Sequence, residues 1–319
     1  MKYWYYLLLF NIYTLGFGQI KTDPNKQSSE LGKVSWYRDF IEATQQAKKE
    51  NKDIVLLFQE VPGCATCRNY GQNVFTHPLM IEALENEFIP LVIFNNRSGK
   101  DRIVLNQYNE PSWNNPVVRI ISPEGNTIVN RISNDYEALT LCNRMIEALV
   151  LREKQIPRYL NLLQQELQAT TNKSIQETCY SMYCFWSGEK ELGNIDGVLN
   201  VTSGFINHKE VVKVDFDSQK INESVLKQKA FNHQYSPITN FNNFKISNKD
   251  VHYYLRNSVY QYIPLSELQK IKINSALGNQ ASVEIYLSPK QKKWLTSAKA
   301  RKLNTSLIDV NILEAWHLL

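Results

Sequence analysis

The chain has 319 residues, of which 43% are hydrophobic and 21% charged, and its formal net charge is +5. This composition is that of a globular protein, and the length allows two domains of ordinary size. The mild positive charge argues against nucleic-acid binding, because the longest basic stretch, SPKQKKWLTSAKARK, has the spacing of a solvated helix face.

Residues 1–18 have the pattern of a cleaved signal peptide. One lysine precedes a run of aromatic residues and leucines, and Gly16 and Gly18 give a small-x-small cleavage pattern. The run is short and is interrupted by Asn11 and Thr14, so we expect no stable membrane insertion. We therefore expect a periplasmic or secreted protein, in an oxidising space where reduced thiols need a supply of electrons.

Residues 34–152 are predicted to form one α/β domain. The continuous apolar runs IVLLFQ, IPLVIFN and NPVVRIIS are typical of strands that are buried on both faces. Helical patterns precede and follow these strands, in VSWYRDFIEATQQAKKENKD, THPLMIEALENEF and DYEALTLCNRMIEALVLREKQ. Thr76 is the expected N-cap of the second of these helices. Helices that alternate with buried strands favour an α/β sheet.

Residues 153–174 are predicted to be a helical linker, because RYLNLLQQELQ follows Pro157 with a helical pattern and ends in the polar ATTNKS. Residues 175–319 are predicted to form a second domain of the α+β class. This domain opens with the strand-like ETCYSMYCFW and contains the alternating strand EVVKVDFD.

Cys64 and Cys67 form the most informative motif of the first domain. They are spaced as Cys-x-x-Cys between a buried strand and a predicted helix, where the helix dipole and free backbone N–H groups stabilise a thiolate. Half a zinc site and a structural disulfide are alternatives, although a zinc site would lack a second CxxC or a His pair. The strand–CxxC–helix context favours redox chemistry, and we expect neither a metal nor a cofactor. Pro116 precedes a strand where a cis-proline would offer a docking edge for substrate chains.

The segment from Trp36 to Gly125 resembles secreted thioredoxin-like proteins, with AKKENKDIVLLFQEVPGCATC as the matching core. VPGCATC is similar to the Val-Pro-Gly signature of a bacterial thioredoxin-like family whose members can carry selenocysteine at the position of Cys64. The resemblance implies that Cys64 is the attacking residue and Cys67 the resolving one.

A second cysteine motif, CFWSGEKELGNIDG, begins at Cys184. It resembles the active-site opening of the type A peptide methionine sulfoxide reductases, in which Gly-Cys-Phe-Trp-Gly leads into a helix. The resemblance implies that Cys184 attacks a sulfoxide sulfur, while Phe185 and Trp186 pack against the methyl group of the substrate. A buried cysteine in an aromatic core is the alternative.

Glu210 is the candidate proton donor for the leaving sulfoxide oxygen. It shares one strand face with Val212 and Val214, and a glutamate at the end of an apolar face is partly desolvated, as a general acid requires. INHKEVVKVDFD also resembles the Gly-His-Ala-Glu stretch of the same reductases, with Glu210 at the matching glutamate.

The stretch DVHYYLRNSVY resembles a later Asp…Gln-Tyr-Arg-Ser stretch of these reductases, which implies a substrate-binding role for Asp250. This sequence lacks a glycine-rich segment of the family, and one of the family's two active-site tyrosines is lost with that segment. Leu255 takes the place of the other, where Tyr253 or Tyr254 is a possible substitute.

Reduction of a sulfoxide leaves Cys184 as a sulfenic acid, which another thiol must resolve. Cys179 is predicted to point to the opposite face of its strand, and no cysteine follows Cys184. Cys142 lies on the apolar face of a predicted helix and is expected to be buried and inert. The Cys64–Cys67 pair is therefore the expected electron donor within the chain.

The sequence thus predicts an extracytoplasmic thiol oxidoreductase whose first domain supplies electrons to a second, sulfoxide-reductase-like domain. Its expected partners are oxidised or methionine-sulfoxide-containing proteins and an upstream thiol donor. The alternative is a disulfide reductase or isomerase whose second domain only binds client proteins.

Overall fold

The computed structural model describes residues 21–113, 116–297 and 305–319. The predicted signal peptide, residues 1–18, lies outside these ranges. Within them, every helix is too short or too polar to cross a lipid bilayer.

The first half of the chain is built on a three-stranded sheet in the order β2-β1-β3. The central strand pairs parallel with β2 and antiparallel with β3, and all seven of its residues are buried. The elements are β1 (Asp53–Gln59), β2 (Phe88–Phe94) and β3 (Val117–Ile121), with helices α1 (Phe40–Glu50), α2 (Ala65–Asn73), α3 (Pro78–Asn86), α4 (Lys100–Gln107) and α5 (Ala138–Leu151).

Alternate residues of β1 point into two separate cores, one on each face of the sheet. Val55 and Leu57 belong to the core under α3 and α5, whereas Leu56 belongs to the core under α1 and α4. This two-sided burial explains why β1 is a continuous apolar run instead of an alternating one.

The prediction that Thr76 is the N-cap of α3 is wrong. The cap is His77, with Pro78 in the first helical position, and the Thr76 hydroxyl donates to the Gln72 carbonyl of the preceding helix. Because a proline at the first helical position has a suitable φ and lacks an N–H that would be unsatisfied there, α3 begins without a side-chain cap.

The second half is a mixed α/β region. It contains a five-stranded antiparallel sheet in the order β7-β4-β6-β5-β8 together with several helices. Helices α7 and α10 pack together, and α7 also lies against β5 and β6. The strands are β4 (Ile175–Ser181), β5 (Val198–Ile206), β6 (Lys209–Asp217), β7 (Ser236–Ile238) and β8 (Lys245–Ile246); the helices are α6 (Arg158–Asn172), α7 (Phe185–Gly193), α8 (Glu223–Asn232), α9 (Tyr253–Arg256), α10 (Glu267–Gly278), α11 (Pro289–Leu295) and α12 (Ile312–Ala315).

The segment predicted as a helical linker, residues 153–174, contains α6, which packs against α3 and α5 on one side and α10 on the other. Leu160 and Leu163 join the core of the first half, whereas Leu162 joins that of the second. Further contacts join the halves: Ile312 and Trp316 pack into the first core, and the Lys290 N–H donates to Glu82 Oε2 at 2.8 Å. The connecting helix is therefore part of both cores.

Glu166 fixes the start of α10 to α6, since its Oε1 accepts the Leu268 N–H at 2.7 Å. Burial raises the pKa of this carboxyl to about 7, against the hydrogen bonds from Leu268 and Ser266. A carboxyl whose folded-state pKa is raised binds its proton more tightly in the folded than in the unfolded chain. Its contribution to the free energy of unfolding is full below the unfolded pKa and is lost as pH rises towards 7.

We expect Glu166→Gln to be about 1–3 kcal/mol more stable relative to the parent protein at pH 8 than at pH 5, because the amide cannot ionise. Urea unfolding of both proteins at the two pH values measures this difference. The exposed Glu42→Gln serves as the control and should show no such trend. A difference in stability that does not change with pH would contradict the assignment.

Candidate functional site

Cys64 lies at the N-cap of α2, just beyond the end of β1 and a short turn. Gln59, the last residue of β1, is fully buried, and its Nε2 donates to the Cys67 carbonyl at 3.1 Å and to the Glu30 carbonyl at 2.8 Å. The strand end thus holds the first turn of α2 in place. Gln59 could not be recognised from the sequence, because this residue looks like one more position of an apolar strand.

The two thiols of the CxxC motif differ in exposure and in acidity. Cys64 is exposed and Cys67 is buried, with their Sγ atoms 3.6 Å apart. The Cys67 backbone N–H is the main cause that lowers the pKa of Cys64, with the Cys67 thiol and the Thr66 amide and hydroxyl adding to it and burial opposing it. Burial raises the pKa of Cys67 to about 12. Cys64 is therefore the more acidic thiol of the pair, and Cys67 keeps its proton to higher pH, as expected of a nucleophile and its resolving partner.

Gly63 allows the turn before α2 to pass close to Cys67. A Cβ at this position would lie 2.5 Å from the Glu60 carbonyl oxygen and 2.6 Å from Cys67 Cβ. The Gly63 N–H donates to Glu30 Oε1 at 2.7 Å, and its carbonyl accepts from Arg68 Nη1 at 2.6 Å. These contacts explain the glycine of the Val-Pro-Gly sequence, because any larger residue would displace the buried thiol.

Pro116 is buried and directly precedes β3. The predicted cis peptide bond between residues 115 and 116 involves Asn115, which lies outside the described residues.

Cys184 occupies the corresponding place in the second half, as the half-buried N-cap of α7. Glu210, at the start of β6, reaches the same helix end, where its Oε2 accepts the Phe185 N–H at 2.8 Å. The hairpin of β5 and β6 thereby brings a carboxylate to the amide that follows the candidate nucleophile. These two residues were both singled out from the sequence, and they lie in adjoining positions.

The aromatic pair after Cys184 is largely enclosed. Phe185 is only 5% exposed and meets Phe205 edge to face, with ring centroids 5.4 Å apart. Trp186 is half-buried, and Tyr253 stacks on it at a centroid distance of 3.9 Å. Any wall that this pair offers to a substrate methyl group is therefore formed together with Phe205 and Tyr253.

Asp250 orients Trp186. Its Oδ1 accepts from Trp186 Nε1 at 3.1 Å, and its Oδ2 accepts from the Ser247 hydroxyl at 2.6 Å. Both carboxylate oxygens thus have protein partners. The substrate-binding role predicted for Asp250 is accordingly indirect in this geometry, because the side chain fixes the indole.

Tyr235 is a residue that the sequence analysis missed. It is buried in the same core as Phe185, the residue that follows Cys184, and burial raises its pKa to about 12, with the charges of Glu191, Cys184 and Tyr254 adding to the shift. It comes from the segment between α8 and β7, far from the cysteine motif in sequence. No local pattern marks such a residue, because only the fold of the sheet brings it to α7.

Glu189 ties α7 to the turn that carries Tyr253. This carboxylate is fully buried and accepts the His252 N–H at 3.0 Å and the Asn274 Nδ2 group at 3.3 Å. Burial raises the pKa of Glu189 to about 7 against these hydrogen bonds. Its place in the middle of a polar stretch, GEKELG, gave no sign of burial.

The remaining thiols lie away from both helix ends. Cys142 is fully buried, as predicted, and burial raises its pKa to about 12. Cys179 is also fully buried, with its pKa raised to about 11, and it belongs to a different core from Phe185. Cys179 is therefore placed on the opposite face of the sheet from α7, as its parity predicted.

Residues 35–123 match the model of a thioredoxin-like family. No curated protein matches the chain. The family match confirms the thioredoxin-like prediction for the first half, with the Cys64–Cys67 pair inside the matched segment. The second half is a mixed α/β region.

The acidity of the thiols gives a direct test. We expect iodoacetamide to label Cys64 with a half-maximal rate at a pH below about 8.5, the ordinary pKa of a cysteine thiol. Cys67, Cys142 and Cys179 should react only at much higher pH or after denaturation. Peptide mapping by mass spectrometry measures each site, and labelling of Cys67 before Cys64 would refute the assignment of nucleophile.

Gly63→Ala tests the close approach of the turn to Cys67. The added methyl group collides with backbone and with Cys67 Cβ, so we expect a loss of about 1–3 kcal/mol in stability and slower formation of the Cys64–Cys67 disulfide. Ala65→Ser adds one atom at the neighbouring exposed position and is the control. Wild-type behaviour of Gly63→Ala in both assays would show that the packing does not matter.

Proposed function

We propose that this protein is an extracytoplasmic thiol–disulfide oxidoreductase whose thioredoxin-like domain passes electrons to Cys184, which reduces methionine sulfoxide in proteins. The observation that carries the thiol chemistry is the difference between the two cysteines at α2. Cys64 is exposed and has a lowered pKa, whereas Cys67 is buried and has a raised pKa, and their sulfurs are 3.6 Å apart.

Thiol–disulfide exchange follows from this asymmetry. The Cys64 thiolate attacks one sulfur of a disulfide, forms a mixed disulfide and expels the other sulfur as a thiolate. Cys67 then loses its proton and attacks Cys64 Sγ, which releases the reduced partner and leaves the Cys64–Cys67 disulfide. Two electrons pass to the partner, and an upstream thiol donor restores the dithiol.

The second half supports a reductase step at Cys184. In the proposal its thiolate attacks the sulfoxide sulfur while the oxygen takes a proton from Glu210. The hydroxyl group then passes to Cys184 Sγ as the S–O bond of the substrate and the bond between the two sulfurs break, which leaves methionine and a sulfenic acid on Cys184. The hydrogen bond from the Phe185 N–H to Glu210 Oε2 places this side chain next to Cys184, and in the proposal the other carboxyl oxygen carries the proton. Tyr235, which shares a core with Phe185, is the candidate hydrogen-bond donor to the oxygen.

The sulfenic acid on Cys184 is resolved in the proposal by the Cys64 thiolate. Their condensation releases water and joins Cys64 to Cys184, and Cys67 then attacks Cys64 Sγ to free the Cys184 thiol. The buried positions of Cys142 and Cys179 favour this route over resolution by either of them. Because α2 and α7 belong to different halves, the exchange occurs either within one chain or between two chains.

A second candidate function is a disulfide reductase or isomerase whose second half binds client proteins. The surface next to the candidate nucleophile favours it: Tyr183 is 100% exposed and Phe205 is 36% exposed. Exposed apolar side chains of this kind are typical of protein-binding surfaces.

We expect the parent protein to reduce a methionine S-sulfoxide peptide with either dithiothreitol or a thioredoxin-type donor. Cys184→Ser should abolish the activity with both, because no sulfur remains to attack the substrate. Cys64→Ser should retain activity with dithiothreitol alone, since the small dithiol replaces the first domain. Two outcomes would contradict the proposal: sulfoxide turnover that survives in Cys184→Ser, or no turnover in the parent protein or any variant. Either outcome would favour the client-binding function instead.

Two controls sharpen this experiment. Glu210→Gln should lower sulfoxide turnover by about 10²–10⁴-fold while insulin disulfide reduction is retained, and the exposed Glu177→Gln should change neither. Mixing Cys64→Ser with Cys184→Ser separates the two routes, because only transfer between chains restores donor-dependent activity.

A further inference from the structure

The turn between β1 and α2 brings a third potential ligand to the two cysteines. A carboxylate oxygen of Glu60 and the Sγ atoms of Cys64 and Cys67 all lie within 4.8 Å of one another. Glu60 directly follows β1, and the turn formed by Val61–Gly63 returns the chain so that Cys64 faces it. The sequence gave no reason to group these residues, because a zinc site was expected to need a second cysteine pair or histidines.

The distances between these atoms suit a tetrahedral zinc ion. Two sulfurs bound at about 2.3 Å with a tetrahedral angle lie about 3.8 Å apart. The sulfurs of Cys64 and Cys67 are 3.6 Å apart, so both can bind one ion with almost no movement. Glu60 is half-buried and ends in a flexible carboxylate. A side-chain rotation that moves a carboxylate oxygen by about 1 Å therefore completes the ligand set.

We propose that Glu60 and the reduced Cys64–Cys67 pair form a binding site for Zn²⁺, with three protein ligands and one open position. The exposed side of Cys64 places the open position towards solvent. A set of two thiolates and one carboxylate is suited to zinc, whereas magnesium and calcium bind oxygen ligands alone.

The charges around the site favour a dication. The Cys64 thiolate and the Glu60 carboxylate lie at the two ends of the turn, and Glu30, from a distant segment, adds a third negative charge by accepting the Gly63 N–H. Two guanidinium groups face the turn, but each donates to a carbonyl: Arg68 to Gly63 at 2.6 Å and Arg97 to Val61 at 3.3 Å. A bound Zn²⁺ would therefore offset an excess of negative charge.

Zinc binding and thiol exchange exclude each other, a point that rests on the proposed function of the same two sulfurs. In the zinc form both thiolates are metal ligands, so Cys64 cannot attack a disulfide. In the disulfide form neither sulfur is a thiolate, so the metal has lost two of its three ligands. Zinc would thus bind only the reduced protein and inhibit it.

The test is a titration of the reduced protein with Co²⁺ and then Zn²⁺. We expect one equivalent of Co²⁺ to give the intense visible bands of a tetrahedral ion and sulfur-to-metal charge transfer, and Zn²⁺ to displace it. Glu60→Gln should weaken binding by roughly 100-fold or more, since even the loss of an outer-shell partner costs about 10–100-fold. Glu60→His should restore tight binding, and the exposed Glu42→Gln should behave as the parent protein.

Three results would overturn the proposal: equal affinity in Glu60→Gln and the parent protein, a stoichiometry other than one, or equal binding by the oxidised protein. The parent protein is assayed for insulin reduction with a chelator and with one equivalent of Zn²⁺. Activity with the chelator but no metal binding would refute the zinc site and leave the thiol function standing. Metal binding without activity in the chelator would refute the thiol function instead.

Discussion

The N–H groups in the first turn of α2 are directed at a single sulfur, and the chemistry of the first half depends on this constraint. It requires that β1 end in a buried glutamine that fixes the helix, and that the turn contain a glycine at residue 63. The same turn buries the second sulfur behind the first. One short segment therefore produces both a thiol of lowered pKa and a buried partner of raised pKa.

A similar arrangement recurs at α7 with different supporting residues. Cys184 is again the residue before the first helical turn, but the neighbouring amide is occupied by the carboxylate of Glu210. The two helix ends thus have the same position for sulfur and different neighbours: a carboxylate that accepts an amide N–H beside Cys184, and a second thiol beside Cys64.

Local patterns predicted the elements of this fold well, since the three apolar runs of the first half became β1, β2 and β3. They also predicted that Cys142 is buried, and the family resemblance grouped Glu210 with Cys184, next to which it accepts the Phe185 N–H. The sequence could not predict contacts between distant segments, such as Glu189 with His252 or Tyr235 in the core that contains Phe185. Those contacts depend on how the sheet folds back on itself, which no periodicity encodes. Glu60 was missed for another reason: its significance lies in distances of a few ångströms inside one turn.

The path of the chain after α11 has a consequence for how this protein is made. Ile312 is buried in the core of the first half, and Trp316 packs against the same core. The thioredoxin-like unit is therefore sealed by residues that leave the ribosome almost 200 positions after its own last match. That hydrophobic surface therefore closes only after residue 316 has been synthesised, long after the segment that carries Cys64 and Cys67.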